Sequence, residues 1–157
     1  MDLILWRHAE AEELPEGTAD ARSDLERKLT SRGDKQAARM ADWLDRQLPG
    51  SARIVSSPAR RCEQTALALG RKFKIRNELA PGTPPAALLE LVQWPLGKTP
   101  MLVIGHQPTL GQTIAVLLGL QESDCAIKKG AVWWLRIRER EGQMQTVVVT
   151  VQSPEML

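Results

Sequence analysis

Two short hydrophobic runs, Leu3-Ile4-Leu5-Trp6-Arg7-His8 and Met101-Leu102-Val103-Ile104-Gly105-His106, each end on a histidine, and the 157-residue chain has no other histidine. Near-continuous apolar runs of this length describe strands buried on both faces, as in a parallel sheet covered by helices. In an open sheet of that kind ligands bind outside the carboxyl ends of the strands, so residues that end two such strands share one crevice. Arg7 and the pair Arg60-Arg61 suggest an anion between them, because a guanidinium forks onto two oxygens at once.

Outward from these runs, strands and helices alternate. The first strand is predicted over Asp2 to Arg7, followed by an irregular acidic stretch from Ala9 to about Lys28. Ala37, Met40, Ala41, Leu44 and Leu48 keep the spacing of one buried helical face and predict a helix from Ser31 to Leu48, ended by Pro49-Gly50. Arg53 to Ser56 is the second strand. Pro58 opens a helix running to about Arg71, with Ala59, Cys62, Ala66 and Leu69 inward. Phe73 to Arg76 is a weaker strand, and Pro84-Pro85 opens a helix through Val92. After the second histidine, Pro108 starts a helix that turns Leu110, Ile114, Leu117 and Leu118 inward and stops at Gly119. Ala131 to Ile137 and Met144 to Val151 form two strands joined at Glu139-Arg140-Glu141-Gly142.

That order implies right-handed crossovers and a three-layer α/β/α sandwich, with a mainly parallel central sheet and an antiparallel C-terminal strand. One domain over residues 1–157 is expected, since a chain of this length buries a single sizeable core. Trp133 and Trp134 must point to opposite faces of their strand, so both faces need cover. They are read as core residues, as are Trp6, Trp43 and Trp94.

Composition narrows the classes. A hydrophobic share of 43% and a charged share of 25% are those of an ordinary globular domain, with no repeat or low-complexity tract. The net charge of +2 is too small to imply nucleic acid, and Arg60-Arg61 and Lys128-Lys129 are local exceptions. The run from Leu3 to Trp6 is too short for a signal peptide or a membrane span, so a cytoplasmic monomer with no membrane partner is expected. Cys62 and Cys125 lie far apart without CxxC spacing and read as reduced, structural thiols.

The two junctions Ser56-Ser57-Pro58 and Gly105-His106-Gln107-Pro108 share a pattern: a proline at the first helical position leaves free backbone N–H groups facing the crevice. Helix N-termini so placed attract phosphate, and Arg61 falls in the first turn of one of them. Arg60 reads as a solvated surface residue. Adjacent strand residues point to opposite faces, so Arg7 and His8 share the crevice only if the strand breaks at His8. A two-histidine metal site with Glu10 or Glu12 as third ligand is the competing reading, ranked lower because flanking arginines repel a cation.

Arg7-His8-Ala9 resembles the RHG motif of the histidine phosphatase superfamily, the group that includes the cofactor-dependent phosphoglycerate mutases. The segment Ser57-Pro58-Ala59-Arg60-Arg61-Cys62-Glu63-Gln64-Thr65-Ala66 is similar to that family's second motif, whose phosphate-binding arginine falls on Arg61. Gly105-His106-Gln107-Pro108 resembles its GHNP segment. The stretch from Ser23 to Thr30, with Gly33, looks most like the SDxxRPLTxxG segment of the SixA-type branch of phosphohistidine phosphatases, and Arg27 falls on its arginine. Ala9, Lys28, Cys62 and Gln107 depart from the usual glycine, proline, alanine and asparagine, and none of these changes removes a reacting group.

The resemblance implies a phosphoglycerate mutase-like fold and a phosphatase that needs no metal and no cofactor. His8 would attack phosphorus and carry it as a phosphohistidine, while Arg7, Arg61 and His106 hold the transferring oxygens and Arg27 helps to bind substrate. The expected substrate is phosphohistidine in a protein, with small phosphate monoesters as the alternative and a noncatalytic phosphate-binding module as a further one. The proton donor stays open among Glu78, Glu10, Glu12 and Asp24, or none, since larger relatives carry a carboxylate where this chain has Leu79-Ala80-Pro81-Gly82-Thr83. The short connection from Ala80 to Pro84 leaves no room for a covering insertion.

Overall fold

Alternation along the first strand divides the core in two. In the computed structural model, which describes residues 1–18 and 20–157, β1 (Asp2–Arg7) turns Ile4 and Trp6 to one face and Leu3 and Leu5 to the other, all fully buried. β4 (Met101–Gly105) lies parallel beside it and sorts its residues the same way, Leu102 and Ile104 to the first face and Val103 to the second. Helices α2 (Ser31–Gln47) and α3 (Arg60–Leu67) cover the first face; α4 (Pro85–Leu91) and α5 (Thr109–Leu118) cover the second. This is the expected α/β/α sandwich.

The sheet has six strands in the order β3-β2-β4-β1-β5-β6, where β2 is Arg53–Ser56, β3 Lys74–Ile75, β5 Val132–Arg140 and β6 Gln143–Gln152. β2, β4 and β1 run parallel, as do β2 and β3, while β5 is antiparallel to both β1 and β6. Only β5 runs against the rest. Trp134 packs into the α2/α3 core and Trp133 against the α4/α5 core, so the two faces of β5 are both covered.

Several elements differ from the expected boundaries; β3 is only Lys74–Ile75, and β5 runs on to Arg140, so Glu139 and Arg140 belong to the strand and the turn is Glu141-Gly142. The stretch before Lys28 contains a short helix, α1 (Ala21–Glu26), capped by Asp20, whose carboxylate accepts the Ser23 N–H at 2.7 Å. It buries no residue, so it carries none of the apolar periodicity by which a helix is read. Pro58 and Pro108 are not the first helical residues: α3 begins at Arg60 after Ala59, and Pro108 is the cap residue before Thr109. α3 also stops at Leu67 rather than Arg71. Arg71 leaves the helix to donate to the carbonyls of Asp45, Leu48 and Pro49, closing the C-terminal end of α2.

Candidate active site

Every predicted catalytic side chain comes from the carboxyl end of a parallel strand or the helix that follows it. β1 ends at Arg7, whose N–H donates to the Ala131 carbonyl; the His8 N–H donates to Gly105 on the other side, and there the chain leaves the sheet. The break lets both side chains line one pocket with Arg27, Arg61 and His106. The pocket holds about 180 Å3. Arg60, one residue from Arg61, is exposed.

The His8 ring is set by its backbone. Its Nδ1 lies 2.7 Å from the Ala9 carbonyl oxygen; a carbonyl only accepts, so Nδ1 carries the proton and Nε2 keeps its lone pair. Burial pushes His8 down to about 3, and Arg61, Arg7 and Arg27 push in the same direction. Burial is the larger cause, ahead of the three arginines. His106 is lowered to about 2, again by burial first and then by His8 and the arginines. The two rings stand 5.3 Å apart, both neutral at pH 7.

His106 is held on both nitrogens. Arg61 Nη2 approaches Nδ1 at 3.3 Å, and since guanidinium only donates, the proton sits on Nε2 and is given to Ser57 Oγ at 2.7 Å. Ser57, fully buried, also accepts the Ala59 N–H at 3.2 Å and thereby ties the start of α3 to the histidine. Cys62 Sγ lies 3.4 Å from Nε2; burial raises the thiol to about 12, so it stays protonated.

Three guanidinium groups and the Lys129 ammonium carry the site's positive charge. Arg61 is 3% exposed and is gripped by Asp24, whose carbonyl accepts from Nη1 at 2.7 Å and whose carboxylate accepts from Nη2 at 3.1 Å. The other Asp24 oxygen takes Arg27 Nε at 3.0 Å, and Arg27 also donates to the Glu12 carbonyl. Arg7 donates from Nη1 to the Ile127 carbonyl, and burial lowers its proton affinity. In both Arg7 and Arg61 the Nε–H is buried and has no partner. A buried donor left unmade is costly, and both arginines line the pocket.

The acids considered from the sequence do not gather here. Asp24 is occupied by two arginines, Glu10 accepts from Thr30 Oγ1 at 2.8 Å, and Glu78 is exposed and paired with Arg76. Glu12 is exposed. The carboxylate that lines the pocket is Glu13, with Lys129 and Gln107 also in its wall. Nothing in the sequence separates Glu13 from its acidic neighbours. Lys129 was visible only as half of a basic pair. Among the described residues no three His, Cys, Asp or Glu side chains cluster as metal ligands, and no helix is long and apolar enough to cross a membrane.

The histidine phosphatase superfamily (branch 1) profile matches residues 3–82, and the chain belongs to this superfamily. Within it the chain falls in the SixA-type branch. It is 32% identical over 125 residues to the phosphohistidine phosphatase SixA of Escherichia coli K12, covering 74% of each protein. It is 29% identical over 134 residues to the SixA homolog of Haemophilus influenzae Rd, covering 76% of this chain and 78% of the relative. The structure of the protein histidine phosphatase SixA complexed with tungstate matches with a TM-score of 0.76 at 25% identity, over 99% of both chains. This kinship supports a hydrolytic phosphatase.

Proposed function

We propose that this protein removes phosphate from phosphohistidine in a protein substrate through a covalent intermediate on His8. The observation that carries the reading is the pairing of a neutral imidazole, its Nε2 free, with two buried guanidinium Nε–H groups that have no partner. The Nε2 lone pair attacks phosphorus as the P–N bond breaks, and the substrate's imidazole, carrying a proton on its other nitrogen, leaves as neutral imidazole. Water then attacks the phosphohistidine, releasing inorganic phosphate and returning neutral His8. Arg7 and Arg61 donate to the equatorial oxygens throughout. A phosphoryl dianion opposes the effects that keep His106 neutral, so substrate entry favours its protonated, donating form. Arg27 acts with Asp24 beside Arg61 at the substrate-binding wall.

Two features favour the phosphohistidine substrate over an alkyl phosphate. The rim after β3 is the short turn around Pro81, with no covering insertion, which suits a protein surface. A phosphoramidate nitrogen also depends less on a strong protein acid than an alkoxide does, and Asp24, Glu10 and Glu78 are each held in a hydrogen bond or ion pair, leaving Glu13 as the carboxylate of the wall. Relatives named as SixA agree with this choice. The test is turnover of a phosphohistidine peptide against a panel of small phosphate esters, with an alkaline denaturing quench to trap the labelled enzyme. A kcat/KM for the peptide above every ester, with an acid-labile and alkali-stable label, is expected. Faster turnover of an ester, or no label, overturns the reading.

A further inference from the structure

At the opposite end of the sheet lies a groove of about 920 Å3. It opens where strands begin: Arg53 and Met101 are register partners and the first residues of β2 and β4, and both line it. None of the described residues lines both this groove and the catalytic pocket. Its floor is partly apolar and draws on both faces of the sheet: Phe73 and Ala52 are half-buried against the α2/α3 core, Leu91 and Met101 against the α4/α5 core.

Its rim is cationic. Arg53, Lys72, Lys74 and Lys98 line it, all exposed, and none of the four has a salt-bridge partner among the described residues. Arg71 and Arg76 also line it but are engaged, the first by Asp45 and the end of α2, the second by Glu78. No Asp or Glu is among its described lining residues. In a chain whose net charge is only +2, four unmatched cations around one concavity are a concentration, and their fields add.

We infer that this groove binds a phosphorylated organic molecule of nucleotide size. Sites for such ligands hold roughly 300–1,000 Å3 and combine apolar wall with a few charged groups that fix orientation. An inorganic anion would leave the floor unused, and an uncharged molecule would leave the four cations unmatched. A nucleotide meets both, its base on Phe73 and its phosphates toward the lysines.

The experiment titrates the N-methylanthraniloyl derivative of ATP into the full chain carrying His8→Ala, which blocks turnover, and follows its fluorescence at low and at physiological salt. Saturable binding that weakens with salt is expected. Lys72→Glu with Lys98→Glu should weaken it about tenfold or more, since each reversal turns an attraction into a repulsion. Arg61→Ala should leave it within about twofold, as that arginine is outside the groove. Adenosine and inorganic phosphate, each alone, should compete less well than ATP. Unchanged affinity in the double variant, loss of binding with Arg61→Ala, or no saturation by millimolar probe overturns the inference. The double variant in the wild-type background should still dephosphorylate the phosphohistidine peptide, which separates a failure of the groove from a failure of the catalytic reading.

Discussion

The two ends of the sheet hold positive charge in opposite ways. At the carboxyl ends, Arg61 is 3% exposed and each arginine is fixed by backbone carbonyls or Asp24. At the amino ends, Arg53, Lys72, Lys74 and Lys98 stand in solvent without partners. Buried, held donors cost no reorganisation when charge develops before them, so they suit a transition state. Exposed cations attract from a distance and are screened by salt, so they suit capture. The contrast follows from where strands deliver their side chains: β1 and β4 end in the crevice, with α3 and α5 closing over it.

The widest separation of the two ends comes from His8→Ala. Phosphohistidine-peptide turnover should fall by about a millionfold, the scale of losing a nucleophile, and no labelled enzyme should be trapped, while nucleotide binding at the far groove persists. Residual turnover within a hundredfold of wild type, by phosphate release, would falsify the assignment of His8 as phosphoryl carrier. Next comes Arg61→Ala, expected to lower kcat/KM by about a hundredfold or more as a preorganised donor is removed. Its exposed neighbour Arg60→Ala should change it by less than about twofold, with circular dichroism showing both folded. Equal losses would mean that burial does not divide the two.

Protonation sharpens the contrast further. Because His8 and His106 are depressed to about 3 and about 2, below pH 6.5 the unfolded chain takes up protons that the native chain refuses. Stability present above pH 6.5 is therefore lost as pH falls, by up to about 1.4 kcal/mol per pH unit for each histidine, until the native rings titrate near those values. Urea melts of wild type and His8→Asn between pH 7 and 4 should show a shallower loss in the variant. Imidazole proton resonances should not move between pH 8 and 5; a midpoint near 6.5 for either ring contradicts the buried neutral site. The smallest effects are expected from Glu13→Gln, under about threefold on the phosphohistidine peptide but larger on any alkyl ester, and from EDTA, which should leave turnover unchanged.

Much of this was legible because it rests on short-range rules. A run of apolar residues ending in Arg7-His8, and another ending in Gly105-His106, place their last residues at strand ends whatever surrounds them. The alternation of Leu3, Ile4, Leu5 and Trp6 requires two covered faces, and the Ala37, Met40, Ala41, Leu44 spacing supplies one of the helices that cover them. Helix α1 was not legible, since it is stabilised by a cap and by contacts with its neighbours rather than by a buried stripe.

By itself the sequence determined the sandwich, the register of the three motifs and the residues that could meet. Tertiary structure alone decided how they meet. Asp24 and Arg61 are separated by many residues and become partners only when α1 lies beside α3; Ser57 and His106 meet only because β2 and β4 are neighbours. The neutrality of both histidines is likewise a product of burial, as are the two orphaned Nε–H groups and the distance between catalytic pocket and basic groove. Periodicity and capping act over a few residues, whereas desolvation and pairing depend on what the fold brings close, and that is not written in any local stretch of chain.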